Sequence, residues 1–359
     1  MENRIPLFFA GASSINGYCS HLGEIYKPDG GWRTYIIKGG AGMGKSTMMK
    51  KIASELISNG ADAWLAPCPG DPDSLDAAVF PGIKACIMDG TAPHVVNPKY
   101  PEVCEVIVNL GDQCDHNKML SHSDEVISAF KQSDLLYQRA TRYIAATASL
   151  LADNYRVACD CTDMRRAAEY GAQLAMRTLP KKSGRGEEQI RFLSAVTPKG
   201  LIFFSDTVET MCDRVFIVED EYGAASRAIM SAVRITALQL GYDIICCMCP
   251  FAPDEKPEHI FVPELGLGFI TQNHYLKTDS DERRIHARRF ISASALSSHR
   301  QRLSFNRRAI NELINGTVST FSQAKALHDS IEKCYIECMD FAAVDQRRKQ
   351  ITDELLSRM

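Results

Sequence analysis

The sequence predicts an α/β protein built from two similar halves, and three observations lead to this prediction. A strand, a glycine-rich loop and a helix follow one another within residues 34–60. The pattern of residues 39–69 recurs in degenerate form, without a gap, at residues 220–250. Each half then continues into helix-like sequence, at about 123–179 and at 280–359. A chain of 359 residues has the length expected of two domains.

The composition excludes several classes of protein. With 45% hydrophobic residues, 24% charged residues and a net charge of −3, the chain is ordinary for a globular protein and has no general attraction to nucleic acid or membranes. No apolar run reaches the ~18 residues that span a bilayer, and the start does not resemble a signal peptide. We therefore expect a cytoplasmic protein without a membrane partner. Several of the thirteen cysteines lie in apolar, strand-like runs, which favours buried thiols over a metal site.

The first loop has a complete phosphate-binding pattern. The stretch TYIIKGGAGMGKST places a buried strand before it and a helix after it, and the loop fits G-x-x-x-x-G-K-[ST], the P-loop. Glycines allow backbone N–H groups to surround phosphate oxygens, and the lysine adds a charge between the β- and γ-phosphates. The predicted nucleotide-binding residues are Gly39, Gly40, Ala41, Gly42, Met43, Gly44, Lys45, Ser46 and Thr47.

A second strand supplies a carboxylate for the same site. In KACIMDG, residues 84–90, Asp89 follows four apolar residues and stands where the Walker B aspartate of P-loop proteins holds Mg²⁺. We expect Ser46 and Asp89 to hold the metal. Lys45 and His94 are the predicted catalytic residues. Since Gly90 follows Asp89 where many ATPases have glutamate, other candidate bases are Asp71, Asp73, Asp76 and Glu102.

The second half repeats the first without these polar groups. Gly42 aligns with Gly223, but Ser226 stands at the position of Lys45 and Arg227 at that of Ser46. Asp220 and Glu221 replace the first two glycines and would repel phosphate, and Thr271 lies near the position of Asp89. The sequence therefore predicts one working nucleotide site and one degenerate site.

These observations predict two tandem P-loop NTPase-like domains, each a doubly wound sheet followed by helical segments. The predicted boundaries are 1–182, with a helical extension at 123–179, and 187–359, with one at 280–359. Residues 180–188, PKKSGRGEE, resemble an exposed linker between them.

The chain also resembles a known family. The blocks FFAG, KGGAGMGKS and MDGTAPHVVNPKYPE, together with the degenerate second half, resemble an uncharacterised bacterial family of tandem P-loop proteins found mainly in Firmicutes. Its members are described only as ATPases or as hypothetical proteins. The resemblance covers nearly the whole chain and implies a P-loop fold and nucleotide binding, but it implies no substrate.

The expected function is Mg²⁺-dependent binding of ATP, with GTP as an alternative nucleotide, and slow hydrolysis or a nucleotide-dependent switch. One alternative is a kinase that phosphorylates a small molecule or nucleotide. Another is a nucleic-acid-associated ATPase, because residues 283–308 contain eight arginines and no acid. The same arginines could instead act as an arginine finger or form a solvated face.

Overall fold

The computed structural model describes residues 4–93, 95–278 and 283–359. Its strands are β1 (Gly11–Ser14), β2 (Gly17–Ser20), β3 (Arg33–Lys38), β4 (Trp64–Pro67), β5 (Leu75–Phe80), β6 (Ala85–Asp89), β7 (Glu105–Asn109), β8 (Glu188–Arg191), β9 (Ser194–Thr197), β10 (Gly200–Phe203), β11 (Arg214–Glu219), β12 (Ile244–Cys249), β13 (Ala252–Val262), β14 (Leu267–Gln272) and β15 (Arg283–His286). Its helices are α1 (Lys45–Ser58), α2 (His116–Ser121), α3 (Ser123–Asp160), α4 (Met164–Thr178), α5 (Ser205–Met211), α6 (Ala224–Gln239), α7 (Ala293–Ser297), α8 (Arg300–Cys338) and α9 (Phe341–Leu356). The predicted α/β class is confirmed.

The two large sheets share one strand order. The first has the order β4-β5-β6-β3-β7, in which β3 runs parallel to β6 and β7, while β5 runs antiparallel to its neighbours. The second has β12-β13-β14-β11-β15, with β8 added beside β12. There β11 is parallel to β14 and β15, and β13 is the antiparallel strand. The repeat seen in the sequence thus extends to the order and direction of the strands.

The sheets pack face to face, and the helices cover their outer faces. Alternate residues of a strand point to opposite faces. In β3, Tyr35 and Ile37 join an outer core with α1 and α9, while Ile36 joins an inner core. In β11, Ile217 joins that same inner core, and Phe216 joins an outer core with α4 and α6. The result is a four-layer arrangement of helices, sheet, sheet and helices.

This architecture corrects the expectation of doubly wound sheets. In such a fold helices cover both faces of a mostly parallel sheet. Here each large sheet contains an antiparallel strand, and its inner face packs mainly against the other sheet, with the short helix α5 beside it. The continuous apolar run of β3 indicates that both faces of the strand are buried. Either helices or a second sheet can bury such a face, so the run does not distinguish between them.

The halves exchange their last helices. α4 follows the first half in sequence, yet it packs on α6 so closely that a Cβ at Gly171 would lie 2.5 Å from the carbonyl oxygen of Ile229. α9 follows the second half and packs on α1, where Arg348 forms a 2.9 Å ion pair with Glu55. The long helices α3 and α8 pack against each other in antiparallel orientation. Each of them crosses to the other half, so that α4 and α9 pack there. The predicted domain boundaries stay predictions.

Candidate functional site

The first loop lies between the carboxyl end of β3 and the start of α1. Gly42 and Gly44 have φ angles of 72° and 92°, a left-handed conformation that glycine adopts without strain. Gly44 is the N-cap of α1, and no side chain in the described part of the chain caps that helix. The N–H groups of the first turn therefore stay available for an anion, which the positive end of the helix dipole also favours.

Lys45 and Asp89 meet at the centre of this loop. The Lys45 ammonium donates to the carbonyl oxygens of Gly39 and Gly40, at 2.9 and 2.8 Å. It also lies 3.6 Å from the Asp89 carboxylate, and both side chains are mostly buried, with exposed fractions of 13% and 14%. Asp89 reaches this place because β6 is parallel to β3, with Asp89 paired in register with Ile37. The two predicted charges are thus brought together by the sheet.

The other predicted loop residues have different surroundings. The Ser46 hydroxyl accepts the N–H of Leu75 at 3.0 Å, which leaves its own proton and one lone pair for another partner. Thr47 is exposed. Met43 is buried, and its sulfur accepts the N–H of Gly40 at 3.0 Å. Ala41 packs against a small core formed by the start of α3 and the end of α8.

The candidate catalytic bases are not gathered around Lys45. His94 lies outside the described residues. Asp71 lies 3.5 Å from the ammonium of Lys325, and Asp73 forms a 2.6 Å ion pair with Lys199. Among the residues described, Asp89 is the one carboxylate within 4.0 Å of the Lys45 ammonium. The remaining sequence candidates are an exposed glutamate and a buried aspartate, Glu102 and Asp76.

A part of the second half covers the first loop, which the sequence did not predict. We call residues 332–344, where α8 ends and α9 begins, the α8–α9 corner. A Cβ at Gly40 would lie 2.7 Å from the ring of Tyr335, and a Cβ at Gly42 would lie 2.6 Å from the carbonyl oxygen of Glu332. Two of the loop glycines are therefore required by close packing of this corner as well as by the shape of the loop.

The second loop places a carboxylate where the first would place a phosphate. Asp220 is buried, and its carboxylate accepts the N–H of Ser226, in the first turn of α6, at 2.8 Å, and that of Tyr222 at 3.2 Å. α6 also begins at Ala224, two residues before the position equivalent to Lys45. The loop is therefore shorter, and its helix N-terminus already holds an anion from the chain itself.

The polar groups of the second loop differ in kind from those of the first. Thr271 pairs in register with Val218, as Asp89 does with Ile37, which confirms its equivalent place. The hydroxyls of Ser226 and Thr271 are buried and have no hydrogen-bond partner within the described residues. The Lys45–Asp89 pair of the first loop is thus replaced by two hydroxyl groups in the second loop.

One cation does approach the second loop, from a strand that the sequence comparison did not indicate. A Cβ at Gly223 would lie 3.8 Å from the ammonium of Lys256, which pairs with Glu258 at 2.6 Å. Burial alone would raise the pKa of Glu258, but Lys256 and His259 bring that pKa below its ordinary value. The charge of Lys256 is therefore already matched by a buried carboxylate.

A cavity of about 600 Å³ opens at the carboxyl ends of β11 and β14. Its lining contains three acids, Glu219, Asp220 and Glu221, and two cations, Lys277 and Arg288. The cavity therefore carries charges of both signs.

The arginine-rich segment lies beside the second half. Arg284 pairs with Glu219 at 2.5 Å, and the guanidinium of Arg302 donates to Asp153 on α3 at 2.8 Å. Tyr335, which covers the first loop, is on the same helix as Arg302, roughly 50 Å further along it at about 1.5 Å per residue. Arg302 cannot therefore reach the first loop as an arginine finger in the same chain.

Within residues 4–93, 95–278 and 283–359, no helix is both long and apolar enough to cross a bilayer. Comparisons of the chain with protein-family models, with curated proteins and with solved structures found no match.

Proposed function

We propose that the protein binds ATP in a Mg²⁺-dependent manner at one P-loop, formed by residues 39–47, and hydrolyses it slowly as part of a nucleotide-dependent switch. The observation that carries the proposal is the meeting of Lys45 and Asp89, 3.6 Å apart, beside a helix N-terminus without a side-chain cap among the described residues. The resemblance to tandem P-loop ATPases supports the same assignment. The second half is then a structural or regulatory copy.

The residues present fit a metal–nucleotide complex. Mg²⁺ prefers oxygen ligands, and the Ser46 hydroxyl and the Asp89 carboxylate would hold it, Asp89 directly or through water. Bound Mg²⁺ would neutralise charge on the β- and γ-phosphates. The backbone N–H groups around Gly42 and Gly44 would hold the phosphates, and Lys45 would exchange part of its contact with the carbonyl oxygens for the phosphate oxygens.

The described surroundings of Lys45 support slow turnover. Hydrolysis requires a group that orients the attacking water. Asp71 and Asp73 are engaged with Lys325 and Lys199, and Asp89 accepts the N–H of Thr91 at 2.8 Å. No other described carboxylate is within 4.0 Å of Lys45. We infer that binding, more than rapid chemistry, is the task of this site.

The switch is supported by the packing of the α8–α9 corner. Gly40 and Gly42 touch Tyr335 and the backbone of Glu332 without room for a methyl group. A loop that moves around a phosphate must therefore displace α8, or be held by it. Because α8 packs along α3, the nucleotide state would be transmitted to both halves.

Equilibrium dialysis of ATP with Mg²⁺ tests the proposal. We expect about one ATP per chain, and we expect Lys45→Ala to abolish binding. Ser226→Ala, at the equivalent position of the second half, is the matched control and should leave binding unchanged. A stoichiometry near two, or tight binding by Lys45→Ala, would refute the assignment. The same assay with GTP decides between the two nucleotides.

The metal role of Asp89 has a separate test. By isothermal titration, Asp89→Asn should weaken binding of Mg·ATP far more than binding of ATP without metal. Equal losses under both conditions would show that Asp89 acts on Lys45 or on the loop and does not act on the metal.

A further inference from the structure

Arg191, at the end of β8, is an arginine buried in an apolar core. Its exposed fraction is 7%, and its guanidinium lies 3.8 Å from the ring centroid of Trp64 and 4.7 Å from that of Phe8. Within the described residues its side chain has one hydrogen bond, donated to the Gln189 side chain at 2.6 Å. An arginine has five N–H donors, so most of its capacity is not used by the protein.

The charge of Arg191 has no counter-ion among the residues that the structure describes. No carboxylate in the described part of the chain lies within 4.0 Å of the guanidinium. Burial lowers the pKa of Arg191 to about 9, because removal from water disfavours the charged form. Buried charges in proteins are normally paired, since an unpaired one is strongly destabilising. Stacking on two aromatic rings recovers only part of that loss.

Arg191 faces a cavity of about 310 Å³. Its inner wall is aromatic and aliphatic, with Phe8, Trp64, Met211 and Ile245 beside Arg191. This volume is at the lower end of the range for small-molecule sites, which are mostly apolar with a few polar groups that orient the ligand.

Three acids also line this cavity, but they lie at its exposed mouth. Asp62 and Asp243 are exposed, and Glu187 is paired with Lys27. Asp243 also accepts the N–H of Glu187 at 2.7 Å. None of the three compensates Arg191, and all three are screened by water.

The cavity is separate from the first loop and lies on the seam between the halves. Asp62 and Ala63 precede β4, and Asp243 precedes β12, at equivalent positions of the repeat. Because β4 runs in the same direction as β3, this is the amino end of the parallel strands, whereas Lys45 lies at their carboxyl end. The cavity and the first loop are therefore separated by roughly the length of β3, about 20 Å for six residues.

We propose that this cavity binds a small organic anion, a carboxylate with a flat apolar body, whose charged group pairs with Arg191. The guanidinium is planar and presents parallel donors that match a carboxylate, and it remains charged in a buried site. The flat body of the ligand would pack against the cavity surface formed by Trp64 and Met211. Such a ligand would contact both halves at once and would stabilise their present arrangement.

The test compares benzoate with benzamide, a neutral molecule of nearly the same shape, on the full-length protein. Binding is followed by the fluorescence of Trp64 in a Trp32→Phe background, since these are the two tryptophans of the chain. We expect saturable binding of benzoate, at least about tenfold tighter than that of benzamide, as expected for a charge-assisted hydrogen bond to a buried group. Equal affinities, or no binding of benzoate, would overturn the proposal.

The role of Arg191 is tested with Arg191→Met, which keeps much of the side-chain volume and removes the buried charge. This variant should bind benzoate and benzamide equally weakly, while Arg185→Met, at an exposed arginine, should bind benzoate as the wild type does. Benzoate should also raise the melting temperature of the wild type, but not that of Arg191→Met. Unchanged benzoate binding by a folded Arg191→Met would refute the role of Arg191. ATP binding should be the same in all variants, so this test is independent of the one at Lys45.

Discussion

The contact between Gly42 and the α8–α9 corner predicts how much stability a substitution at Gly42 would cost. In Gly42→Ala the new Cβ would lie 2.6 Å from the carbonyl oxygen of Glu332 and 2.9 Å from its Cα, well inside van der Waals contact. Both are backbone atoms of α8, so neither can turn away as a flexible side chain could. The φ angle of 72° adds a second penalty for any residue with a Cβ.

The two penalties can be separated with a matched glycine. Gly60 has a φ angle of 94°, and a Cβ added there would meet no described atom within 4 Å, so Gly60→Ala carries the conformational penalty alone. That penalty is about 1–2 kcal/mol. Overpacking adds about 1–3 kcal/mol, so we expect Gly42→Ala to lower the free energy of unfolding by about 2–5 kcal/mol in total.

Urea unfolding followed by circular dichroism measures both variants, with the midpoint compared at constant m-value. Gly42→Ala should also weaken ATP binding, because the loop or α8 must move, whereas Gly60→Ala should not. If the two variants lose stability equally, to within about 0.5 kcal/mol, α8 does not pack on the loop as described. The proposed coupling between bound nucleotide and α8 would then be wrong.

The remaining predictions concern the second half and the arginine-rich segment. Asp220→Ala removes the acceptor for the N–H of Ser226 and should cost about 1–3 kcal/mol in urea unfolding, without changing ATP stoichiometry in dialysis; unchanged stability would contradict the capping role. His259 is buried with a pKa of about 4, below the ordinary 6.5, because burial disfavours the charged ring. The unfolded chain therefore binds the proton first, so stability should fall as pH drops from about 6.5 to about 4, by up to ~3 kcal/mol relative to His259→Phe; parallel pH profiles would refute this. Arg302→Gln should reduce stability only slightly, because the Arg302 side chain is about half exposed and Asp153 keeps its hydrogen bond from Asn306, and it should leave ATP turnover unchanged; loss of turnover at constant ATP affinity would indicate an arginine finger supplied by a second chain.

The residues of the first loop could be predicted from the sequence because their signal is local. A glycine spacing, a lysine and a following serine describe a loop whose shape depends on its own backbone. The position of Asp89 was predictable for a related reason, since parallel strands end at the same edge of a sheet and place Asp89 opposite the end of β3. The degenerate second loop was predicted in the same way, by comparing Ser226 with Lys45 at equivalent positions.

The tertiary structure alone decided what covers these elements. The apolar run around Ile36 indicates that both faces of β3 are buried. Burial against a sheet and burial against helices, however, give the same sequence pattern. The exchange of α4 and α9, the contact of Tyr335 with Gly40 and the approach of Lys256 to Gly223 join residues far apart in sequence. No local spacing encodes such contacts, because they depend on how apolar surfaces of several elements fit together. The buried charge of Arg191 belongs to the same group, since its meaning depends on the absence of a carboxylate within 4.0 Å in the described residues.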